Sequence, residues 1–528
     1  MNESTPLLQN QSHILPQKRL LLIFPVLALI QFTSFLDQTA IATSLPTIAS
    51  ALEFGSSISV VGTAFLITST SIQLINGRLS DIFGRKTSLT AALIIMCIGN
   101  ILCGFSTTPL ELFTARAFTG FGAGAINALV QIAMADITTL EQRGYYFGLV
   151  GVAVSLGSGL GPVVGGMLTQ TVGWRWAFWF VCPICLAAIG YFLSVWPSSQ
   201  PRSTSSGTWN KLKLLDWIGA CSSLVSITLI LIPVSQGGLT LSWSSPITLS
   251  MLCAGVLLFG FFIIYEWRVA SLPILPFQLF YYGFPTNILL SVNFVIGWIF
   301  WSNLLVLPLY LQNVRGMSPA KAGVMMLPMV ITHGITSGIT GVIISVIGHY
   351  KPIIVTGAVS WGLAAIGKLR FDLDTPLWMI AGIGVLDGVA VGCSLQPVLV
   401  GLFAGSASED RAVLTGLRNF IRDMGGATGT AVSGAILTNL VSAQLSSSFS
   451  REFIAKLCSS AFALSDLGLT EEEKNMISRG YMDGLHGVFT SFAVLIALHI
   501  CCCICIVDYG LKKQDFPRLQ GRLSQEQA

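Results

Sequence analysis

Charged residues are scarce in this chain. Only 10% of its 528 residues are Asp, Glu, Lys or Arg, whereas a soluble domain carries roughly 25%. Hydrophobic residues make up 53% of the chain, and the mean hydropathy is +0.75. Because so few charges cannot cover a water-facing surface, we expect lipid to be the main solvent of the folded chain. The net charge of +4 is small and spread over many segments, which argues against a nucleic-acid partner.

The chain also lacks the motifs of nucleotide-binding, hydrolytic and metal-binding sites. It contains no GxxxxGK[ST] phosphate loop, no HExxH and no GxSxG. Its twelve cysteines lie mostly in apolar runs, and the cluster at 501–505 indicates either apolar packing or palmitoylation. We therefore expect neither an enzyme nor a metal or organic cofactor, and any work must draw on a gradient, such as a proton gradient.

The apolar residues are collected in about fourteen stretches of ~20 residues, the length that a membrane-spanning helix needs. The sequence thus predicts an all-α membrane protein, in which the spans near Trp361 and Val432 are the weakest. A Ser/Pro-rich segment after the sixth span indicates six spans, two inserted spans and six more. The predicted regions are a cytosolic tail at 1–18, a six-helix bundle at 19–196, a cytosolic linker at 197–213, two inserted helices at 214–268, a second six-helix bundle at 285–510 with a long outer loop at 442–484, and a cytosolic tail at 511–528.

The distribution of Lys and Arg predicts the orientation. An even number of spans puts both termini on one side of the membrane. With the N-terminus inside, eighteen Lys and Arg residues fall on the inner side and nine on the outer side, while Arg116 falls within a span. The inner excess predicts that both termini are cytosolic.

A weak internal repeat supports a division into two halves. The spacing from Gly77 to Gly84 recurs from Gly341 to Gly348. Repeats of this kind build many secondary transporters, whose substrate site lies between the repeated halves.

A few charged residues lie inside the predicted spans, where an ionisable group is costly and indicates function. Asp37 is either a proton-carrying or cation-binding carboxylate, or one partner of a structural ion pair. Arg116 needs an acid, carbonyl groups or water, and it could bind an anionic group of a substrate. Asp387 is the one strongly embedded acid of the second half, whereas His333 is expected to be a core residue.

A cluster of charges joins the second and third predicted spans. It consists of Gly77, Asp81, Gly84, Arg85 and Lys86 with the residues between them. The glycines allow a sharp reversal and close packing. Two compatible interpretations follow: the cations anchor the topology, and the charged turn is a latch that holds one conformation closed.

Taken in order along the chain, these motifs resemble those of the major facilitator superfamily, and in particular its fourteen-span drug:proton antiporter branch. The matches cover most of residues 18–510 and lie at 36–46, 77–86, 116–124, 157–166, 174–178, 215–219 and 307–312. The element with Gly157, Gly161, Pro162, Gly165 and Gly166 resembles the fifth-span motif of proton antiporters.

The resemblance implies a major facilitator fold and proton-coupled antiport by alternating access. It implies that Asp37 and Arg116 act in coupling, and that Gly161 and Pro162 act in the antiport direction. Ser345 stands where the first half has Asp81, so we expect the latch on one half only.

The N-terminal tail indicates a destination. Glu3, Leu7 and Leu8 have the form acidic-x-x-x-Leu-Leu, which resembles a dileucine signal read by sorting adaptors. This favours a vacuolar or lysosome-like membrane, and the chain most resembles fungal vacuolar basic amino-acid transporters. We therefore expect lipid, protons and small molecules as partners, and basic amino acids as substrates moved from cytosol to vacuole. Asp37 would bind substrate and proton in turn, with Arg116 and Asp387 as further substrate-binding candidates. Drug or toxin efflux at the plasma membrane is the alternative.

Overall fold

The computed structural model describes residues 14–52, 60–196, 216–236, 241–270, 273–275, 280, 283–406, 410–446, 448–450, 453–454, 457 and 470–511. The predicted sorting signal of Glu3, Leu7 and Leu8 lies outside these residues, as does most of the predicted linker.

The described chain is built from α-helices because, in lipid, a backbone must satisfy its own hydrogen bonds. In the described ranges we number the helices α1 (Gln17–Leu52), α2 (Val60–Phe83), α3 (Arg85–Phe105), α4 (Pro109–Ile137), α5 (Leu140–Thr171), α6 (Trp176–Trp179), α7 (Val181–Val195), α8 (Trp217–Gln236), α9 (Pro246–Arg268), α10 (Phe284–Leu309), α11 (Pro319–Ile347), α12 (Lys351–Lys368), α13 (Leu377–Ala404), α14 (Arg411–Leu445) and α15 (Glu471–Ile504). A π-helical turn at Tyr310–Val314 continues α10. Capping boxes at Thr108, Thr139 and Thr470 fix the starts of α4, α5 and α15.

Within the described ranges, twelve helical segments are long and apolar enough to span a membrane. They are α1 to α5, α6 and α7 taken together, α8 to α11, α13 and α15. The predicted spans near Trp361 and Val432 fall in α12 and α14, which are helical but lie outside this set. The all-helical architecture is confirmed, and the count of fourteen stays a prediction.

Both ends of the predicted outer stretch at 442–484 are helical. Helix α14 continues to Leu445, and α15 already begins at Glu471. The three glutamates at the start of α15 favour an early helix start, because negative charge stabilises a helix N-terminus.

The two bundles repeat one packing pattern. In the first, α1 packs on α5, and both α2 and α3 pack on α4. In the second, α10 packs on α14, and both α11 and α12 pack on α13. The inserted helices α8 and α9 pack on each other, and α8 also contacts α2 and α14.

The first and last described segments meet one face of the bundle, which we call the terminal face. Leu15 donates its backbone N–H to Ile137 O at 3.1 Å, at the end of α4. Leu511 donates to Gly348 O at 2.9 Å, just after α11. The N–H of Tyr145, near the start of α5, donates to Ser345 Oγ at 2.9 Å and so joins these two regions.

The two halves are in close contact at this face, along two glycine-lined seams. Between α5 and α11, a Cβ added to Gly148 would lie 2.6 Å from Ser337 O and 2.8 Å from Gly341 Cα. Between α2 and α14, a Cβ on Gly77 would lie 2.8 Å from Ala412 O. Small residues allow such backbone contact between membrane helices. The structure is therefore closed at the terminal face.

Candidate functional site

A small cavity lies between the two halves. It encloses about 20 Å³, which is room for roughly one water molecule. A substrate can therefore enter only after the halves move apart. The lining residues are Gln31, Phe35, Asn127, Gln131, Val154, Phe300, Trp301, Leu395, Gln396, Arg418 and Arg422.

Arg418 is the central charged group of this cavity. It lies on α14 with no exposed surface. Its Nη1 donates to Asn419 Oδ1 at 2.8 Å, and its Nη2 donates to Leu395 O. Its Nε has no acceptor among the described residues. A buried guanidinium without a carboxylate partner is a strong attraction for an anion.

Arg422 lies one helical turn further along α14 and is partly neutralised. Its Nε donates to Asp423 Oδ1 at 3.0 Å. The other oxygen of Asp423 accepts from Gln73 Nε2 on α2 at 2.9 Å, which links the two halves. Asp423 is not among the lining residues, so the described lining carries two guanidinium groups and no carboxylate.

Carboxamide side chains line the first-half side of the cavity. Gln31 Nε2 donates to Asn127 Oδ1 at 3.1 Å, and Ser34 Oγ donates to the same oxygen at 3.2 Å. These contacts join α1 to α4. Gln31 Oε1 and Gln396 Oε1 have no donor in the described part of the chain, so both can accept hydrogen bonds from a ligand.

The structure brings Asp37 and Arg116 together, on α1 and α4. Arg116 Nη1 lies 3.4 Å from Asp37 Oδ2, and both side chains are buried. Asp37 Oδ1 and Arg116 Nε have no hydrogen-bond partner among the described residues. The guanidinium also lies 4.4 Å from the centre of the Phe65 ring. Neither residue lines the cavity, but both lie on the helices that Gln31 and Asn127 join.

The fifth-span glycines hold α5 against α1. A Cβ on Gly157 would lie 2.6 Å from Phe32 O, and one on Gly161 or Gly165 would collide with Thr39 or Ala40. Hydroxyl groups of α1 add hydrogen bonds across the same seam: Thr39 donates to Gly157 O at 3.3 Å, Thr43 to Pro162 O at 2.9 Å and Ser44 to Gly165 O at 3.3 Å. Gly166 is less crowded, since its nearest neighbour would lie 3.5 Å from an added Cβ. The predicted antiporter motif thus makes α1 and α5 one unit.

Asp387 is buried in the second half and is not free for a substrate cation in this conformation. Its Oδ2 lies 2.6 Å from Lys368 Nζ, which also donates to Asn303 Oδ1 at 2.8 Å. Lys368 is a buried residue at the end of α12. Neither partner lines the cavity. His333 is a buried core residue whose ring lies 6.4 Å from that of Phe300.

The charged turn joins four helices of the first half. Arg85 contacts Asp81 at 2.7 Å and Asp136, on α4, at 2.8 Å. Gly84 has a φ of 86°, which favours glycine. Lys86 Nζ donates to Leu193 O at 3.2 Å, on α7. Through Gly77, the start of this turn also touches the second half.

Sequence reasoning missed the charged and amide residues of the cavity, although it named Phe300 and Trp301 as possible aromatic lining of a drug-binding site. It counted Arg418 and Arg422 as inner-side charges, but both lie within α14 and are buried. Removing them from the count leaves the inner excess in place. A usable signal was present: Gln31, Asn127, Gln131 and Gln396 are amides within apolar stretches, where polar groups are costly.

Comparison with known proteins assigns the family. The sequence profile of the Major Facilitator Superfamily matches residues 27–288. Citrate exporter 1 of Yarrowia lipolytica is 34% identical over 513 residues, covering 96% of this chain and 75% of that protein. The MFS-type transporter clz4 of Cochliobolus lunatus is 32% identical over 497 residues, covering 93% and 86%. Multidrug resistance protein fnx1 of Schizosaccharomyces pombe is 30% identical over 428 residues, covering 80% of each chain.

Solved structures agree on the fold. The human organic anion transporter MFSD10 (TETRAN) superposes with a TM-score of 0.61 at 15% identity, covering 93% of this chain and 100% of that one. The proton:xylose symporter XylE gives a TM-score of 0.59 at 15% identity, covering 94% and 97%. The chain belongs to the major facilitator superfamily. It is a multi-pass membrane transporter and not an enzyme, as the sequence predicted. A special closeness to vacuolar amino-acid transporters is not shown and stays a prediction.

Proposed function

We propose that this transporter is a proton-coupled antiporter that exports small organic anions, with carboxylates as the substrate class. The observation that carries the proposal is the buried guanidinium of Arg418 between the two halves, whose Nε has no acceptor among the described residues. Arginine binds carboxylates through parallel, charge-assisted hydrogen bonds. With Arg422 nearby, the cavity offers two such groups to a di- or tricarboxylate.

The positive charge of the cavity disfavours the basic amino-acid substrates that the sequence predicted. A lysine or arginine substrate would bring its side-chain cation towards two guanidinium groups, and no lining carboxylate compensates for it. The α-carboxylate of such a substrate could still pair with Arg418. Basic amino acids therefore remain an alternative substrate class, although the two guanidinium groups of the cavity make binding of their side-chain cation less favourable. The name of the related citrate exporter supports the same preference for carboxylates.

Proton coupling is proposed for the Asp37–Arg116 pair. Protonation of Asp37 would remove most of its attraction for Arg116, so the α1–α4 contact would change at that level. The same two helices carry Gln31 and Asn127 in the cavity. The glycines of α5 hold α1 against α5, and α5 also forms the seam with α11 at the terminal face. A change in the position of α1 is therefore transmitted through α5 to the contact between the two halves.

Efflux of apolar drugs is the second candidate. Phe35, Phe300 and Trp301 give the cavity an aromatic wall, which suits flat, amphiphilic ligands. The names of related multidrug resistance and efflux proteins point the same way. The two candidates differ in whether transport depends on a negative charge of the substrate.

The test is transport by the purified protein in liposomes with an imposed pH gradient, acidic inside. Labelled citrate, labelled lysine and the cationic dye rhodamine 6G are offered in parallel. We expect gradient-driven uptake of citrate, because protons leaving the liposome exchange for substrate entering it. Uptake of lysine or dye without citrate would overturn the anion proposal in favour of the corresponding alternative.

Arginine variants connect the result to the cavity. Losing a hydrogen bond to a charged group costs about 1.5–3 kcal/mol, so Arg418→Gln should weaken apparent citrate affinity by roughly ten- to a hundredfold. The exposed Arg479 provides the matched control, and Arg479→Gln should transport normally. Equal affinities in both variants would remove Arg418 from the site.

The membrane in which the protein works is a separate proposal. We propose the vacuolar membrane, from the dileucine-like tail. Replacing Glu3, Leu7 and Leu8 with alanine should move a fluorescently tagged protein from the vacuole to the plasma membrane. A tagged wild-type protein at the plasma membrane would make the tail match a coincidence.

A further inference from the structure

Two acids from the inserted helices meet near the terminal face. Asp216 directly precedes α8, and its Oδ1 accepts the N–H of Gly219 at 2.8 Å, as a helix N-cap does. Glu266 lies near the end of α9, and its Oε2 accepts the N–H of Leu275 at 3.1 Å. Both residues are buried, with 8% and 3% of their surface exposed. Each carboxyl group thus uses one oxygen to hold a backbone segment.

The remaining two oxygens point into the same space. A Cβ on Gly219 would overlap Asp216 Oδ2 and lie 2.5 Å from Glu266 Oε1, so only glycine leaves room for the pair. Both oxygens lie within 2.5 Å of that one Cβ position, so the two carboxyl groups are adjacent. Neither Asp216 Oδ2 nor Glu266 Oε1 has a donor within the described ranges. Two acceptors in contact need a hydrogen between them. This accounts for both the Asp and the Gly of the 215–219 motif.

The described charged and titratable groups around the pair provide a single cation for two carboxyl groups. Arg78, on α2, is the cation that faces Glu266, and it also faces Asp81 and Asp410. Tyr265, on α9, faces both acids and carries no positive charge. Among the described residues, no third acid, His or Cys completes a metal site with the pair. A proton fits this arrangement better than a metal ion does.

We propose that Asp216 and Glu266 form a proton-binding site, in which one shared proton joins Asp216 Oδ2 to Glu266 Oε1. This site is separate from the substrate cavity and goes beyond the proposed function. Its ligand is a proton supplied from the terminal face, and no bond other than the O–H bond forms or breaks.

Release of this proton would act on the charged turn. Two negative charges in buried contact repel each other strongly. Glu266 holds the segment at 273–275 through Leu275, and Arg78 holds the same segment by donating from Nε to Pro273 O at 3.1 Å. Arg78 belongs to the turn that begins at Gly77 beside the second half. The inserted helices would therefore make the terminal-face contact sensitive to pH.

The test uses the full-length protein in detergent and needs no transport substrate. The melting temperature of the wild type is followed as the pH is raised. Because the folded pair binds a proton that two separated carboxyl groups would release earlier, stability is present at low pH and falls as the pair deprotonates. We expect a drop of a few degrees in the wild type through that transition.

Variants that replace one carboxyl group with an amide keep the contact between residues 216 and 266 but remove the shared proton. Glu266→Gln can donate from its Nε2 to Asp216 Oδ2 and has no proton to lose, so its melting curve should lack the pH-dependent drop. Asp216→Asn should behave alike if the pair acts as one unit. The exposed Glu472→Gln is the control and should retain the wild-type drop. Parallel pH profiles for the wild type and both amide variants would overturn the proposal.

If neither amide variant folds, infrared spectroscopy of the wild-type protein tests the proposal instead. The wild type should show an infrared C=O band of a protonated carboxyl group that disappears over the same pH range as the stability is lost. A spectrum without a band that follows this transition would exclude the shared proton.

Discussion

The seam between α5 and α11 offers a direct test of the conformational cycle, through Gly148→Ala. In the present closed state, an added Cβ would lie 2.6 Å from Ser337 O and 2.8 Å from Gly341 Cα. Real Cβ atoms do not approach other heavy atoms so closely, and both neighbours are backbone atoms that no side-chain rotation can move. The substitution must therefore push the two halves apart at this point.

The shift in the population of the closed state can be calculated, because the steric clash of Gly148→Ala exists only in that state. Overpacking by one methyl group costs about 1–3 kcal/mol, and the cost falls only on the state in which α5 and α11 touch. At ~1.4 kcal/mol for each factor of ten, the closed state should lose between about fivefold and a hundredfold in relative population. Ser337 Oγ, which donates to Gly148 O at 3.1 Å, would lose its bond at the same time.

The assay is a distance distribution between spin labels on the two halves. Cysteines replacing the exposed Glu141 and Thr356, on α5 and α12, carry the labels in a background without the exposed native cysteines. We expect Gly148→Ala to shift the distribution towards longer distances. Gly323→Ala on α11 is the matched control, since an added Cβ there has no neighbour within 4 Å.

Two outcomes would refute the reasoning. If Gly148→Ala and the control gave the same distribution as the parent protein, the seam would not be specific to the closed state. If both variants shifted the distribution equally, the clash at the seam would not be the cause, because an added Cβ at Gly323 has no neighbour within 4 Å.

Three further predictions concern the buried charges. Asp37→Asn should abolish uptake driven by a pH gradient but leave the exchange of labelled for unlabelled substrate intact. The control Asp374→Asn, at an exposed position, should retain both activities. Gradient-driven uptake by Asp37→Asn would exclude Asp37 as the proton site. Lys368→Gln should destabilise the protein by about 3–5 kcal/mol, because it leaves the buried Asp387 carboxylate without its cation. Adding Asp387→Asn should restore most of the lost thermal stability. An additive loss of stability in the double variant would contradict the pairing. Arg85→Gln should lower stability to a similar degree, since two buried acids lose their partner, and wild-type melting behaviour would show that the turn tolerates unpaired acids.

Sequence reasoning reached the features that depend on local composition. Runs of apolar residues indicated the helices, and a lone acid in such a run marked Asp37 before any partner was known. Gly157, Gly161 and Gly165 were marked by their resemblance to the fifth-span motif, and their spacing by four residues is that of one helix face. Reasoning of the same kind failed for Arg418, because an arginine near the start of a weakly apolar helix reads as a loop charge.

The partners of these residues could not be predicted in the same way. Asp37 and Arg116 are 79 positions apart, and Asp387 finds Lys368 from another helix. A carboxylate in a span needs a cation, but its sequence context does not say which helix supplies it. Packing of the helices decides that, through contacts that are distant in the chain.

The sequence by itself determined that this protein is a helical membrane protein, because a chain with 10% charged residues must fold in lipid and its apolar stretches must satisfy their backbone within helices. The resemblance of its motifs to the major facilitator superfamily added the expectation of transport. Tertiary structure alone decided where the charge of the proposed substrate site lies. The cavity forms where two halves meet, and its sign depends on which side chains of six distant segments face it and on which of them are already neutralised. The arginines of α14 become a proposed binding site only because the fold buries them there, where the described lining residues include no carboxylate.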